Sequence, residues 1–243
     1  MTQYDNDDFF ESYKTLRSNP LSYNEIVEFP EMKRQMPPLD NKDVLDVGCG
    51  FGHILKYIST HQPKSLTGID VSEKMIAFSR QTPELKNASF FHGDILKTEI
   101  NHTFDVIVSS LALHYIQDFS RLAEKLSRLL RPGGTLLFTM EHPIQTASTS
   151  QNIVFKDDSG LYLRLDHYSD ESERTLYWSG ADYKVSKYHH KIDTVINALI
   201  QSGLTIQYIK DMGDAPEVFQ NYDEDRIHKL QTFPPFLMVK AVK

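Results

Sequence analysis

The 243-residue sequence predicts an α/β protein built on a doubly wound, mostly parallel sheet. Short apolar runs recur between residues 44 and 140, amphipathic helical patterns lie between them, and glycine or acidic residues follow several of the runs. Near-continuous apolar runs of this length are typical of strands that are buried on both faces of a parallel sheet.

Seven strands are predicted from the apolar runs. The first five alternate with helical patterns, and right-handed crossovers would make these strands parallel. Two more strands follow the longest helical pattern near the end of the chain. The predicted strands are 44–47, 65–70, 88–92, 104–109, 135–140, 204–209 and 235–242.

Helices are predicted where apolar residues recur at helical spacing between residues that begin or end a helix. Ser72 is a preferred N-cap residue, and Gly203 favours a helix end. The clearest apolar stripe runs from Tyr188 to Ile200. The predicted helices are two short ones within 8–37, divided at Asn19-Pro20, and longer ones over 73–81, 119–131 and 187–202.

Residues 145–186 interrupt the alternation and predict an inserted hairpin or cap. The insert begins with polar residues suited to a hinge and contains the aromatic residues Tyr177, Trp178 and Tyr183. Together with the N-terminal helices, it is expected to close over the carboxyl edge of the sheet, where ligands of open α/β sheets bind. The predicted units are an N-terminal helical segment (1–38), a core (39–144), the cap (145–186), and a C-terminal helix with closing strands (187–243).

Charge and composition argue against several classes of protein. With 26 Lys+Arg against 33 Asp+Glu, the formal net charge is −7, which disfavours nucleic acid as a partner because neutralising phosphates needs clustered cations. The single cysteine excludes an internal disulfide, and no histidine pair is spaced with a carboxylate as metal ligands, so no metal is expected.

The same inspection gives an expected location. No apolar run approaches the roughly 20 residues of a membrane-spanning helix, so no membrane association is expected. The acidic N-terminus also lacks an apolar signal region. We therefore expect a cytoplasmic protein, either a monomer or a homodimer.

The first predicted strand runs into a glycine-rich turn, Asp46-Val47-Gly48-Cys49-Gly50-Phe51-Gly52. Its spacing is G-x-G-x-G, whereas the dinucleotide fingerprint is G-x-G-x-x-G. Asp70 ends the second strand, where a carboxylate can accept both hydroxyls of a ribose. Asp94 follows the third strand and can accept a hydrogen bond from an exocyclic amine such as adenine N6. These residues favour a nucleoside-containing cofactor, although a ligand-free turn and helix N-caps are alternative interpretations.

The run V-L-D-V-G-C-G-F-G at 44–52 resembles motif I of the class I S-adenosylmethionine-dependent methyltransferases. Four later segments are similar to the family's successive motifs: 68–72, 93–95, 104–115 and 130–134. The resemblance covers about residues 40–140, and the two closing strands resemble the family's terminal β-hairpin. It implies a Rossmann-like methyltransferase fold, S-adenosyl-L-methionine as cofactor, and methyl transfer by direct displacement at the sulfonium.

The resemblance also implies contacts to the methionine end of the cofactor. Asp46, Gly48 and Gly50 would line this end, and Gly52 would lie at the start of the next helix. Cys49 lies inside the motif, where a small apolar residue packs the turn, so we interpret it as structural rather than nucleophilic.

The remaining contacts implied by the resemblance involve the adenosine and the ammonium group. Asp70 would hold the ribose hydroxyls. The adenine would pack on Val71 and Met75. Its polar edge would be read by Asp94 and the amide of Ile95. A backbone carbonyl of Ser109 or Ser110 would accept from the cofactor ammonium.

Candidate catalytic residues follow the fourth and fifth strands. His114 or His142 could act as a general base, and Glu141 could orient a nucleophile. Packing of His114 against the next helix and loop capping by Glu141 are alternative interpretations. One of His189 and His190 could reach the pocket, but a solvated helix start is the favoured interpretation.

Three sequence features favour a small-molecule methyl acceptor. The chain has no Asn-Pro-Pro-Tyr-like motif, no second cysteine for attack on a pyrimidine ring, and a negative net charge. The alternatives left open are an NAD(P)-dependent oxidoreductase and a non-catalytic S-adenosylmethionine-binding protein.

Overall fold

The computed structural model describes residues 3–150, 153–177, 184–213 and 222–243. Its strands are β1 (Asp43–Val47), β2 (Ser65–Asp70), β3 (Ser89–His92), β4 (Phe104–Ser110), β5 (Leu130–Glu141), β6 (Val154–Asp157), β7 (Gly160–Leu163), β8 (Glu173–Tyr177), β9 (Lys184–Tyr188), β10 (Thr205–Met212) and β11 (Phe236–Val242).

Within the described residues, seven strands form one sheet in the order β10-β11-β5-β4-β1-β2-β3. Adjacent strands among β1 to β5 are parallel, whereas β11 is antiparallel to both β5 and β10. The order reverses at β1, which has β2 on one side and β4 on the other. Ligands of doubly wound sheets bind outside the carboxyl ends of the strands at such a reversal. The predicted seven-stranded, mostly parallel sheet is confirmed.

The helices surround this sheet, and none within the described ranges is long and apolar enough to cross a membrane. The hydroxyl of Ser72 accepts the Met75 N–H at 3.2 Å, which confirms the predicted cap. Short 3-10 or π turns cover Gln3–Asp5, Asn24–Glu28, Pro83–Leu85 and Leu113–Tyr115. The α-helices are α1 (Asp7–Arg17), α2 (Phe29–Gln35), α3 (His53–Ser59), α4 (Glu73–Gln81), α5 (Phe119–Leu129), α6 (Pro143–Thr146), α7 (Ile192–Gln201) and α8 (Glu224–Thr232).

The central strands are buried on both faces, which explains their continuous apolar sequences. Leu45 and Ile107 point into one apolar core, which they share with residues of α5 and α7. Val44 and Val106 point into the other, which contains residues of α2 and α3. Successive strand residues face opposite sides of a sheet, so a strand between two helical layers needs apolar residues at every position.

The helix predicted over 187–202 is wrong at its start. Lys187 and Tyr188 belong to strand β9, which pairs antiparallel with β8, and α7 begins only at Ile192. His189 and His190 are buried between these elements instead of starting a solvated helix. The Nε2 of His189 donates to the Tyr168 carbonyl at 2.9 Å, and the Nε2 of His190 donates to the Ile116 carbonyl at 2.9 Å.

The insert contains two small antiparallel hairpins, β6–β7 and β8–β9. The fully buried side chain of Arg174 organises the segment around the second hairpin, because its guanidinium donates to the carbonyls of Thr146, His167 and Asp170. Trp178 and Tyr183, two of the aromatic residues expected in a cap, lie outside the described residues.

The N-terminal segment is attached to the sheet by two buried glutamates. Ser110 Oγ donates to Glu28 Oε1 at 2.6 Å, and the Thr139 hydroxyl donates to the same oxygen. Farther along the segment, Glu31 accepts hydrogen bonds from Tyr208 at 2.9 Å and from Arg34 at 2.6 Å. These contacts fix the segment beside the carboxyl ends of β4 and β5.

Candidate active site

Two adjoining cavities lie outside the carboxyl ends of the central strands, where the strand order reverses. The larger cavity has a volume of about 520 Å³ and follows the ends of β2 and β3. The smaller cavity has a volume of about 360 Å³ and lies nearer the ends of β1, β4 and β5. Seven residues line both: Tyr4, Tyr13, Gly48, Gly50, Ser110, Leu111 and Tyr115.

The three motif glycines all have positive φ, but for different reasons. A Cβ on Gly48 would lie 2.2 Å from the Ala112 Cβ, and one on Gly52 would lie 2.4 Å from a Leu85 methyl, so both positions are closely packed. Gly52 is also the N-cap of α3. Gly50, with φ +49°, differs because a Cβ there would meet open space, and the residue lines both cavities.

Asp46 is a buried carboxylate whose oxygens have no hydrogen-bond partner among the described residues. Burial raises its pKa to about 8, and the nearby charges of Asp70 and Glu28 add to the shift. The residue lines the smaller cavity beside the glycine turn. Because an unpartnered buried carboxylate is unfavourable, a positively charged ligand group at this point would relieve it.

Asp70 both lines the larger cavity and holds the glycine turn. Its carboxylate accepts the N–H of Gly50 at 2.9 Å and the N–H of Ser72 at 2.9 Å. Burial raises the pKa of Asp70, although these two hydrogen bonds oppose the shift. Replacement of this residue would therefore alter the shape of the turn as well as one wall of the cavity.

The other residues predicted to contact adenosine also line the larger cavity. Val71 is 44% exposed, whereas Met75 and Ile95 are buried, and together they form an apolar wall. Asp94 accepts the Leu96 N–H at 2.9 Å and lies 3.3 Å from Lys97, so its carboxylate is held at the cavity edge. An apolar wall beside carboxylates suits a purine nucleoside.

Ser110 lines both cavities, whereas Ser109 is fully buried and its hydroxyl donates to the Val47 carbonyl at 2.7 Å. Cys49 lines the smaller cavity with a buried thiol. Burial raises the pKa of this thiol well above its ordinary value, and Asp46 adds to the effect. A protonated, buried thiol is a poor nucleophile, which agrees with a packing role.

His114 and Glu141 meet in the smaller cavity. The Glu141 N–H donates to His114 Nδ1 at 3.3 Å, and His114 Nε2 lies 3.8 Å from Glu141 Oε1. Burial lowers the pKa of His114 to about 4, so the imidazole is neutral at pH 7. Since Nδ1 accepts a hydrogen bond, the remaining proton is assigned to Nε2.

Glu141 is ionised and paired with a lysine that reaches it from strand β9. Lys187 Nζ donates to both carboxylate oxygens, at 2.6 and 2.5 Å. Burial opposes ionisation of Glu141, but the charge of Lys187 and its hydrogen bonds outweigh this effect, and the pKa of Glu141 is lowered. The pair presents a fixed negative oxygen and a fixed positive nitrogen beside the cavity.

His142 lies outside both cavities. Its Nε2 donates to Asp211 Oδ1 at 2.9 Å, and its Nδ1 accepts the Ile144 N–H at 3.2 Å, which caps α6. Both ring nitrogens are therefore used in structural contacts. The structure brings together His114 and Glu141 but does not place His142 with them.

Three residues of the site were missed by the sequence analysis: Tyr4, Glu28 and Lys187. Tyr4 lines both cavities and donates to the Tyr115 hydroxyl at 2.9 Å. These residues reach the site through docking of distant segments, so no local motif marks them. Within 145–186, no described residue lines either cavity, although Tyr188 lines the larger one.

Comparison with known proteins gives consistent similarities. The family described as "Methyltransferase domain" matches residues 45–138. An S-adenosylmethionine-dependent methyltransferase from Mesorhizobium loti is 30% identical, with a TM-score of 0.79 over 89% of this chain and 97% of that one. A putative S-adenosylmethionine-dependent methyltransferase from Listeria monocytogenes is 32% identical, with a TM-score of 0.76 over 88% and 97%. An uncharacterized protein of Haemophilus influenzae is 35% identical over 99% of this chain and 96% of that protein.

Proposed function

Because the chain belongs to the S-adenosylmethionine-dependent methyltransferases, we propose that it methylates a small-molecule acceptor bound in the smaller cavity. The family, the fold class and the cofactor predicted from the sequence are confirmed. The nicotinamide alternative is not favoured, because the similar solved structures are S-adenosylmethionine-dependent enzymes. The acceptor class and the roles of individual residues are our proposal.

The observation that best supports these roles is the unpartnered carboxyl group of Asp46, which lines the smaller cavity beside the glycines that line both. S-adenosylmethionine, when bound, supplies an electrophilic methyl group on a positively charged sulfur, and it also carries an ammonium group. We place these cationic groups next to Asp46 and Gly50. The adenosine would occupy the larger cavity, with Asp70 at the ribose.

The adenine contacts follow from the walls of the larger cavity. Val71 and Met75 would pack on the ring, while Asp94 and the Ile95 amide would bind its polar edge. A backbone carbonyl of Ser110, the serine that lines both cavities, would accept from the ammonium.

The acceptor would then contact His114 and Glu141. Since His114 Nδ1 already accepts a hydrogen bond and the Glu141 pKa is lowered, these residues are better suited to orient an acceptor than to remove its proton. Alignment of the nucleophile with the methyl carbon and sulfur can itself lower the barrier by roughly 7–11 kcal/mol. An acceptor that already presents a lone pair needs no strong base.

The N-terminal segment would exclude water from this reaction. Tyr4 and Tyr13 cover both cavities, and Tyr13 stacks on Phe51 of the glycine turn with ring centroids 5.8 Å apart. Apolar rings with polar ends can wall a site while binding its ligand. We propose that residues 1–38 act as the cover and that strand β9, which leads out of the cap at 145–186, contributes Lys187 and Tyr188.

Methyl-labelled S-adenosylmethionine tests this function directly. After incubation with a cell extract, label should enter the ultrafiltrate that contains small molecules. Glu141→Gln should reduce this transfer by about 100-fold because the acceptor loses its orientation, while S-adenosylhomocysteine affinity stays unchanged. Glu124→Gln, an exposed change on α5, is the matched control. Label confined to macromolecules would contradict the small-molecule acceptor.

A further inference from the structure

Three cationic side chains also line the smaller cavity. Lys14 and Arg17 come from α1, and Lys56 comes from α3. We call these three residues the basic rim. The net charge of the whole chain is −7, so three cationic side chains at one cavity are a local concentration of positive charge.

The cations of the basic rim are available to a ligand. Arg17 is half-buried, and its guanidinium has no hydrogen bond or ion pair within the described part of the chain. Lys14 lies 3.9 Å from Glu11, and Lys56 lies 3.5 Å from Glu84, in pairs that are largely exposed to solvent. Exposed pairs of this kind hold their members weakly.

His53 lines the same cavity beside two residues of the basic rim. Burial lowers its pKa to about 4, the charges of Arg17 and Lys56 lower it further, and the charge of Glu28 opposes them. Its Nε2 lies 3.3 Å from Glu25 Oε1, but the geometry makes no hydrogen bond, and both buried atoms lack a partner among the described residues.

Groups of both charge signs therefore line the smaller cavity. Glu141 is ionised, and Asp46 would ionise when a cation binds beside it, while the basic rim is positive. Phe51 and Phe78 line the same cavity, with ring centroids 5.0 Å apart. Lys14 Nζ lies 5.3 Å from the centre of the Phe78 ring, so a ligand on these rings would meet an apolar surface next to a cation of the basic rim.

We propose that the methyl acceptor carries an anionic group, a carboxylate or a phosphate, which the basic rim binds while an apolar body packs on Phe51 and Phe78. This inference rests on the proposed function, because it assigns the smaller cavity to the acceptor. The α-carboxylate of the cofactor is the other possible source of the same chemistry. The experiment must therefore distinguish an anion on the acceptor from the carboxylate of the cofactor.

Calorimetric titration of the S-adenosylhomocysteine complex with benzoate and with benzamide provides this distinction. The two probes have similar shapes, and only benzoate is charged. The complex should bind benzoate at least about tenfold more tightly, as expected for a charge-assisted contact. Arg17→Gln and Lys56→Gln should each reduce the preference severalfold, Arg17→Lys should retain part of it, and Arg128→Gln on the outer face of α5 should leave it unchanged.

Three outcomes would overturn the assignment of the basic rim. The first is equal binding of the two probes. The second is no detectable benzoate binding. The third is a Arg17→Gln variant, folded by circular dichroism, that loses S-adenosylhomocysteine affinity but keeps the benzoate preference, because the rim would then serve the cofactor carboxylate.

The labelling experiment separates this inference from the proposed function. Label in small molecules without any benzoate preference would reject only the basic rim. Label confined to macromolecules would reject the small-molecule acceptor whatever the probes do.

Discussion

At the scale of single residues, Asp46 shows how a site can be prepared for a cation before the cation arrives. The folded protein holds the Asp46 proton up to about pH 8, whereas an ordinary aspartate loses it near 3.8. Between these values the folded state binds a proton that the unfolded chain has released. The contribution of Asp46 to the free energy of unfolding therefore falls as pH rises across this window.

This linkage predicts a pH-dependent affinity for S-adenosylhomocysteine, which carries the ammonium group. Binding of a cation beside Asp46 favours the ionised carboxylate, so below pH 8 binding releases a proton. The affinity should rise by up to about tenfold per pH unit between about pH 6 and 8 and then level off. Calorimetry in buffers of different ionisation enthalpy measures the released proton. Asp46→Asn should remove the slope, and an unchanged slope in that variant would assign the titration to another group.

Gly50 supports a second residue-scale prediction. Gly50→Ala places a methyl group in the open space shared by the cavities, so S-adenosylhomocysteine affinity should fall at least about tenfold, while the backbone strain is only about 1–2 kcal/mol. Gly133→Ala is a matched control, because Gly133 also has positive φ, also faces open space and lines neither cavity. Titration calorimetry and thermal melting of both variants measure the two effects. Equal loss of affinity in both would mean that strain, not occupied space, is responsible.

At the scale of elements, the sequence prediction is most accurate for strands that are buried on both faces. β1, β2 and β4 are buried on both faces, and their apolar runs matched the observed strands to within one residue. The predicted helix began too early because Tyr188 lies at helical spacing from the apolar residues of α7. In the structure Tyr188 is instead the last residue of β9. Local periodicity cannot distinguish these cases, since the strand depends on its pairing with β8.

The residues of the site also divide into those that strand order could predict and those that depend on distant contacts. Motif residues such as Asp46, Asp70 and Asp94 follow strands directly, so strand order was enough to bring them to one edge. Lys187 could not be found in this way, because its contact with Glu141 exists only once the insert has folded.

The insert depends on Arg174, which leads to a prediction for this element. Arg174→Ala removes the donors for the carbonyls of Thr146, His167 and Asp170, so the free energy of unfolding should fall by about 2–4 kcal/mol. Arg164→Ala, an exposed arginine of the same insert, should change it by less than about 0.5 kcal/mol. Urea unfolding of both variants measures the difference. A loss below about 1 kcal/mol in Arg174→Ala would show that other contacts hold the insert.

At the scale of the whole molecule, the N-terminal segment and the core together form the cavities. Cofactor binding should therefore reduce hydrogen exchange in α1, whose Tyr13 lines both cavities, and in the turn at 46–52. The hairpin β6–β7 should be unaffected because its residues line neither cavity. Exchange measured with and without S-adenosylhomocysteine tests this pattern. Protection that omits α1 would contradict a covering role for the segment.

The buried glutamates of the N-terminal segment also constrain the order in which tertiary contacts can form during synthesis. Glu28 finds its partners Ser110 and Thr139 at separations of 82 and 111 residues, and Glu31 finds Tyr208 at 177 residues. This segment leaves the ribosome before β10 does, so Glu31 cannot accept its hydrogen bond from Tyr208 until β10 has also been synthesised. A segment translated before its partners thus reaches its final position only after they have been made, and until then the cavities lack the wall that this segment supplies.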